Sequence, residues 1–130
     1  MEVYNFLVIS LRVMVSHFYK KEKLLMSKYT VKELWEERYG KAEEVIDYAG
    51  RRMLKCACGD TNSCYQPTID HVKPISKGGK DVKGNIEICH VDTNFEKGNS
   101  FSTWNTNDRC FHARKVKGSS TDYIIEEEFR

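Results

Sequence analysis

The sequence has almost no net charge, no glycine-rich phosphate loop and no internal repeat. Its 130 residues include 21 Lys and Arg against 19 Asp and Glu, a formal net charge of +2, so total charge points to no class of partner. The absence of GxGxxG and GxxxxGK sequences excludes the usual phosphate-binding motifs, and we expect no small-molecule cofactor. The length predicts one folded domain.

The chain also lacks a clear secretory or membrane-spanning segment. Residues 1–25 are first apolar and then basic, but Glu2 comes at the start and Arg12 interrupts the apolar run, which argues against both kinds of segment. Lys21-Glu22 can be encoded as AAG GAG, a bacterial ribosome-binding sequence three codons before Met26. We therefore predict a non-native or flexible extension over residues 1–25 and a domain over residues 26–130. A genuine N-terminal strand or helix is the alternative.

Cysteine occurs in an odd number and without a paired zinc-binding spacing. Because no secretory signal is recognised, free thiols and a cytoplasmic location are expected. Only one residue separates Cys56 from Cys58, whereas zinc sites usually space a cysteine pair by about two to four residues. We therefore expect buried thiols rather than structural zinc, and a zinc-stabilised interaction domain is retained as an alternative. The full set is Cys56, Cys58, Cys64, Cys89 and Cys110.

Local patterns predict scaffold elements before and after the middle of the chain. The stretch TVKELWEERYG predicts a short helix, because Thr30 and Glu33 have capping-box spacing and Gly40 can end it. Residues 42–49, AEEVIDYA, predict a second helical segment before Gly50. The C-terminal part predicts a β-hairpin whose aromatic core residues are Trp104, Phe111 and Tyr123.

The middle of the chain predicts a strand, a loop, a second strand and a helix. Residues 68–99 have the sequence TIDHVKPISKGGKDVKGNIEICHVDTNFEKGN. The first strand is β-prone and cannot continue past Pro74, the loop is rich in glycine, and the second strand alternates before the helix begins near Val91. Alternation sends the adjacent Asp70 and His71 in different directions from the first strand.

Several polar residues in this stretch have a spacing that is similar to one known family. Asp70-His71, Asn85, Asn94 and the sequence EKGN from Glu96 resemble the ββα-metal motif of HNH endonucleases, with Asn94 making an HNN variant. The stretch FSTWNTNDRCFHARKVKGSSTDYII further resembles small phage-type HNH proteins. The resemblance implies an α+β fold: a small single domain with a ββα core at about residues 66–100, N-terminal helices and a C-terminal β-hairpin.

The resemblance implies a metal-dependent DNA endonuclease that hydrolyses phosphodiester bonds. Asp70 and Asn94 would hold a divalent cation, Mg²⁺ with Mn²⁺ as an alternative, because such cations prefer oxygen ligands. His71 would be the general base, and Asn85 would brace the loop and hold the imidazole. His90, four residues before Asn94, would be either a third metal ligand or a helix cap. We expect Asp70 and Asn94 at the edge of the site rather than in the core.

Basic side chains around the motif are predicted to contact DNA phosphates. Residues 70–117 carry nine Lys and Arg against six Asp and Glu, whereas residues 118–130 carry one Arg against four acids. This distribution suits a polyanion, and phosphate contacts position DNA without reading its bases. A solvated charged surface and a catalytically silent DNA-binding module are the alternatives. The predicted contacts are Lys73, Lys97, Arg114, Lys115 and Lys117.

Overall fold

The structure, a computed structural model, describes residues 27–129. The predicted extension over residues 1–25 lies outside the described residues. Within the described range, the order of helices and strands is α1 (Val31–Tyr39), β1 (Glu44–Ile46), β2 (Arg52–Leu54), β3 (Pro67–His71), β4 (Ile86–His90), α2 (Val91–Lys97), β5 (Trp104–Thr106), β6 (Arg109–Lys115) and β7 (Tyr123–Glu128). The strand pairings among them are antiparallel, and the predicted α+β class is confirmed.

Helix α1 begins and ends where the sequence predicts. The Thr30 hydroxyl accepts a hydrogen bond from the Glu33 amide at 3.2 Å, and the Glu33 carboxylate accepts one from the Thr30 amide at 3.1 Å, so the capping box is confirmed. The bond from the Thr30 amide lowers the pKa of Glu33. Gly40 ends the helix with a φ of 58°, a conformation that glycine adopts without strain. No helix in the described part is long and apolar enough to cross a membrane.

The segment after α1 is a β-hairpin, and the prediction of a second helix over residues 42–49 is wrong. Strands β1 and β2 form an antiparallel pair there. Asp47 closes the turn by accepting hydrogen bonds from the amides of Ala49 at 3.0 Å and Arg51 at 2.8 Å, and Gly50 has a φ of 89°. Because an aspartate that binds nearby amides competes with helix formation, this turn outweighs the helix propensity of the preceding Ala-Glu-Glu.

Strands β3 and β4 and helix α2 form the predicted strand, loop, strand and helix, and we call them the ββα unit. In the antiparallel pair, Ile69 lies opposite Ile88 and Asp70 lies opposite Glu87. Ile69 and Ile88 pack against Leu34 and Trp35 of α1. Because side chains alternate along a strand, Asp70 lies on the other face, which is covered by α2.

The C-terminal part is a three-stranded sheet with the order β5-β6-β7 rather than the predicted hairpin. Strands β5 and β6 are joined at Asn107 and Asp108, which both have positive φ, as tight two-residue connections require. Trp104 and Phe111 are buried, as predicted, and Tyr123 is partly buried. The additional strand brings Trp104 against α2.

Two apolar clusters lie on either side of the ββα unit. One contains Leu34, Trp35, Met53, Ile69, Ile86 and Ile88, and the other contains Ala49, Trp104 and Phe111. The Arg51 guanidinium links the parts of the fold, since it donates to Thr93 Oγ1 of α2 at 2.9 Å and to Thr106 Oγ1 of β5 at 2.8 Å. The β1–β2 hairpin therefore fixes α2 against the C-terminal sheet.

Replacing Gly79 by alanine should destabilise the loop between β3 and β4. A Cβ atom at Gly79 would lie 1.8 Å from the Lys73 carbonyl oxygen, and backbone cannot yield as a flexible side chain can. We expect the free energy of unfolding to fall by about 1–3 kcal/mol, measured by urea denaturation. Ser76→Ala in the exposed part of the same loop is the control, and equal stabilities of the two variants would contradict the predicted clash.

Candidate functional site

Strand β3 ends in two adjacent ionisable residues on opposite faces. Asp70 faces α2, whereas His71 lies on the same face of β3 as Ile69. Their side chains are largely buried, with relative exposures of 1% for Asp70 and 7% for His71. Asp70 and His71 therefore point to opposite faces of β3, as strand alternation predicts, and they do so at the end of the strand.

Asp70 is paired with a buried lysine. Lys97 Nζ lies 3.1 Å from Asp70 Oδ2 and donates a hydrogen bond to the His71 carbonyl oxygen at 3.1 Å. It also lies 5.2 Å from the ring centre of Trp104. Lys97 is 1% exposed, a position that does not suit the predicted surface contact with DNA. A buried ammonium costs free energy unless an anion pairs with it, and Asp70 supplies that anion.

Asn94 reaches β3 from α2, on the same face as Asp70. Its Nδ2 donates hydrogen bonds to Thr68 Oγ1 at 2.9 Å and to the Ile69 carbonyl oxygen at 3.0 Å, which fixes the plane of the amide. Asn94 is buried, as Asp70 is. The expectation that these two side chains lie at the edge of the site is therefore wrong, but the fold does bring both predicted ligands to one face.

His90 occupies the N-cap position of α2. Its Nδ1 accepts a hydrogen bond from the Asp92 amide at 3.0 Å, and its Nε2 lies 2.6 Å from the Cys64 carbonyl oxygen, to which it donates. A neutral imidazole has one donor and one acceptor nitrogen, so these two bonds use both. This placement corresponds to the helix-cap alternative for His90 and does not present a lone pair to a cation.

Asp70 and Asn94 carry oxygen atoms of the kinds that a hard divalent cation binds. Carboxylate and amide oxygens are the ligands that Mg²⁺ uses, with water and phosphate completing its coordination. Among residues 27–129, no group of three or more His, Cys, Asp or Glu side chains could hold a metal ion. The five cysteines are free thiols. In the structure the positive charge next to the Asp70 carboxylate is the Lys97 ammonium.

His71 is oriented by a carboxylate outside the set of residues predicted for the site. Its Nε2 lies 2.8 Å from Asp81 Oδ1. An ionised carboxylate only accepts hydrogen bonds, so Nε2 carries the proton of the neutral ring. The lone pair is then on Nδ1, which is the atom that can take a proton from water.

Asp81 is itself held by the residues that precede α1. Ser27 Oγ donates to Asp81 Oδ1 at 2.8 Å, and the Lys28 amide donates to Oδ2 at 2.8 Å. Burial raises the pKa of Asp81, but the hydrogen bonds from Lys28, His71 and Ser27 outweigh burial and hold the pKa below its ordinary value of 3.8. Asp81 is therefore ionised near neutral pH, as its role as an acceptor requires.

Asn85 ties together the two ends of the loop that carries Asp81. Its Oδ1 accepts a hydrogen bond from the Lys73 amide at 2.8 Å, and its Nδ2 donates to the carbonyl oxygens of Lys73 at 3.0 Å and Lys80 at 2.9 Å. Asn85 is fully buried. The bracing that the resemblance implies for Asn85 agrees with these contacts, which act on His71 through Asp81 rather than by touching the imidazole.

Two of the predicted phosphate contacts lie beside one aromatic ring. Lys73 Nζ is 5.7 Å from the ring centre of Tyr123, and Lys115 lies opposite Tyr123 across β6 and β7. Lys115 is exposed and Lys73 is partly exposed. Lys73 and Asp81, the carboxylate that binds His71, belong to the same loop between β3 and β4.

The other predicted phosphate contacts lie elsewhere. Arg114 points to the opposite face from Lys115 because the two are neighbours in β6, and its guanidinium is paired with Glu126. Lys117 is exposed beyond the end of β6, and Lys97 is buried. The structure therefore divides the predicted basic set into separate locations.

Asp81→Asn should lower the free energy of unfolding at neutral pH, by an amount that shrinks on acidification. A carboxyl whose pKa is lower in the folded protein adds stability above its unfolded value of 3.8 and loses it as the pH falls through the folded value. Urea unfolding between about pH 7 and about pH 3 measures this difference. Asp108→Asn, at an exposed position, is the matched control. A loss of unfolding free energy in Asp81→Asn that stays constant over this pH range would contradict the lowered pKa of Asp81.

The chain matches no protein-family model, and comparison with curated proteins and with solved structures gives no match.

Proposed function

We propose that this protein is a metal-dependent DNA endonuclease of the HNH type, with His71 as general base and Asp70 and Asn94 as ligands of a divalent cation. The observation that carries the proposal is the His71–Asp81 hydrogen bond of 2.8 Å at the end of the strand that also carries Asp70. It gives His71 a defined tautomer, while Asp70 and Asn94 lie on the opposite face of the same strand. The resemblance of residues 68–99 to the HNH motif supports the same assignment.

The reaction begins with a proton transfer to His71. Nδ1 removes a proton from water while the water oxygen forms a bond to phosphorus, and the bond from phosphorus to the leaving sugar oxygen breaks. Asp81 stabilises the imidazolium that results, since its carboxylate remains hydrogen-bonded to Nε2. The leaving oxygen takes a proton from solvent, and His71 returns its proton to solvent.

Asp70 and Asn94 are the residues proposed to act on the negative charges of the phosphate and of the leaving oxygen. Asp70 and Asn94 would hold a divalent cation, which would supply positive charge to the phosphate and to the leaving oxygen. Asp70 and Asn94 lie on the opposite face of β3 from His71, so the phosphate is expected at the end of β3, where both faces can be reached. A polymer lying across the surface can place a phosphate there.

His71→Ala should lower the rate of plasmid cleavage in Mg²⁺ by on the order of 10²–10⁴-fold, with little change in DNA affinity. The loss is confined to chemistry because Nδ1 acts on water rather than on the substrate backbone. The measurement is single-turnover nicking of supercoiled plasmid, with DNA affinity measured separately by fluorescence anisotropy.

His112→Ala is the matched control for that experiment. His112 is also a partly buried histidine bonded to a carboxylate, with its Nε2 3.1 Å from Glu126 Oε2, but it belongs to the C-terminal sheet. It should cleave as the wild type does. Cleavage by His71→Ala at the wild-type rate would refute the general-base role, and no cleavage by the wild type in Mg²⁺ or Mn²⁺ would favour the silent DNA-binding module.

Lys115→Ala should weaken DNA binding and reduce the salt slope of log Kd by about one unit or less, because one phosphate contact is lost. Arg114→Ala is the neighbouring control and should have a smaller effect, because Glu126 already neutralises that guanidinium. Both are measured by anisotropy over a salt series in the His71→Ala background. Equal losses of DNA affinity in the two variants would contradict the assignment of phosphate binding to Lys115 rather than to Arg114.

A further inference from the structure

Lys97 is a cation enclosed at the position where the proposed function requires a metal. Its side chain and that of Asp70 both have 0% exposure, and their charged atoms are 3.1 Å apart. Charges in such a place are screened much less than charges at the surface. The ammonium and a divalent cation would therefore repel each other strongly if both lay against the Asp70 carboxylate.

We propose that Lys97 is the resting counter-ion of Asp70, and that a divalent cation binds by taking its place. This rests on the proposed function, because it concerns the same metal site. Lys97 then stabilises the metal-free fold and sets how tightly the site binds its cation. It is a positioning residue rather than a catalytic one.

The surroundings of Lys97 suit a change of partner. Its ammonium also donates to the His71 carbonyl oxygen at 3.1 Å and lies over the Trp104 ring at 5.2 Å. These two contacts can retain the ammonium after it leaves Asp70, since a carbonyl oxygen and an aromatic face both attract a cation. The flexible lysine stem permits the small movement that the exchange needs.

The test is the affinity of the protein for Mn²⁺ after Lys97→Met, with Mn²⁺ counted by electron paramagnetic resonance. Methionine keeps an unbranched side chain that packs against Trp104 but removes the charge. We expect Lys97→Met to bind Mn²⁺ on the order of tenfold or more tighter than the wild type. Saturating Mn²⁺ should correspondingly raise its melting temperature by about 5 °C or more beyond the rise in the wild type.

Two further variants separate this effect from general charge removal. Lys41→Met loses the same charge at an exposed position after α1 and should bind Mn²⁺ within about twofold of the wild type. Asp70→Asn combined with Lys97→Met removes both charges and should lose the additional affinity. Equal Mn²⁺ affinities of the wild type and Lys97→Met would overturn the proposal, as would a gain that survives in the double variant.

Lys97→Met leaves a buried carboxylate without its ammonium, which can prevent folding in the absence of metal. In that event circular dichroism is recorded during refolding with and without Mn²⁺. Folding that depends on Mn²⁺ supports the proposal, and failure to fold at saturating Mn²⁺ overturns it.

Cleavage assays on the same samples keep the two proposals apart. If the wild type cleaves DNA in Mg²⁺ but Lys97→Met gains no affinity for Mn²⁺, the exchange is wrong and the nuclease assignment stands. If Lys97→Met gains affinity but the wild type cleaves nothing, the exchange stands and the nuclease assignment fails.

Discussion

The buried ion pair between Asp70 and Lys97 constrains how the parts of this fold meet. Burying either charge without a compensating partner costs free energy, because the ion loses its hydration. The pair therefore requires α2 to lie across the end of β3. The same ammonium contacts the ring of Trp104, so the C-terminal sheet must approach the same point. The α2 helix is only seven residues long, and these contacts fix it where local helix stability would not.

One face of β3 packs against α1 and the other against α2. His71 is a polar residue on the largely apolar face that packs against α1. Ile69 belongs to the apolar cluster with α1, and a histidine next along that face needs a polar partner. Asp81 supplies it and is in turn bound by Ser27 and the Lys28 amide. The orientation of the imidazole is thus coupled to the segment that leads into α1. That segment lies outside the HNH-like motif. Asn85 completes this arrangement by closing the loop on which Asp81 lies.

The sequence predicts those parts of the fold that local interactions decide. The capping box of α1 and the order of the ββα unit follow from signals within a few residues of each other. The sequence predicts a helix before Gly50 because Ala-Glu-Glu favours one locally, whereas the Asp47 turn and the pairing of β1 with β2 produce a hairpin over residues 44–54. Lys97 is predicted to contact DNA because it follows Asn94 in the motif and lysine suits phosphate neutralisation. The tertiary contact with Asp70 shows that Lys97 is buried. The role of Asp81 likewise depends on a tertiary contact, its hydrogen bond with His71, which its position in a glycine-rich loop does not indicate.

Strand β7 pairs the basic residues of β6 with glutamates on both faces of the sheet. Its three consecutive carboxylates alternate between the faces of the sheet: Glu126 pairs with Arg114 and His112 on one face, while Glu127 pairs with Arg109 on the other. The acidic C-terminal stretch is thus a strand that neutralises β6 residue by residue. Lys115 lies opposite Tyr123 at the far end of this pairing, beyond the three glutamates. The Tyr123 ring also contacts Lys73 of the β3–β4 loop, so position along β6, rather than net charge, decides which of its basic residues lies beside a glutamate and which lies beside this ring.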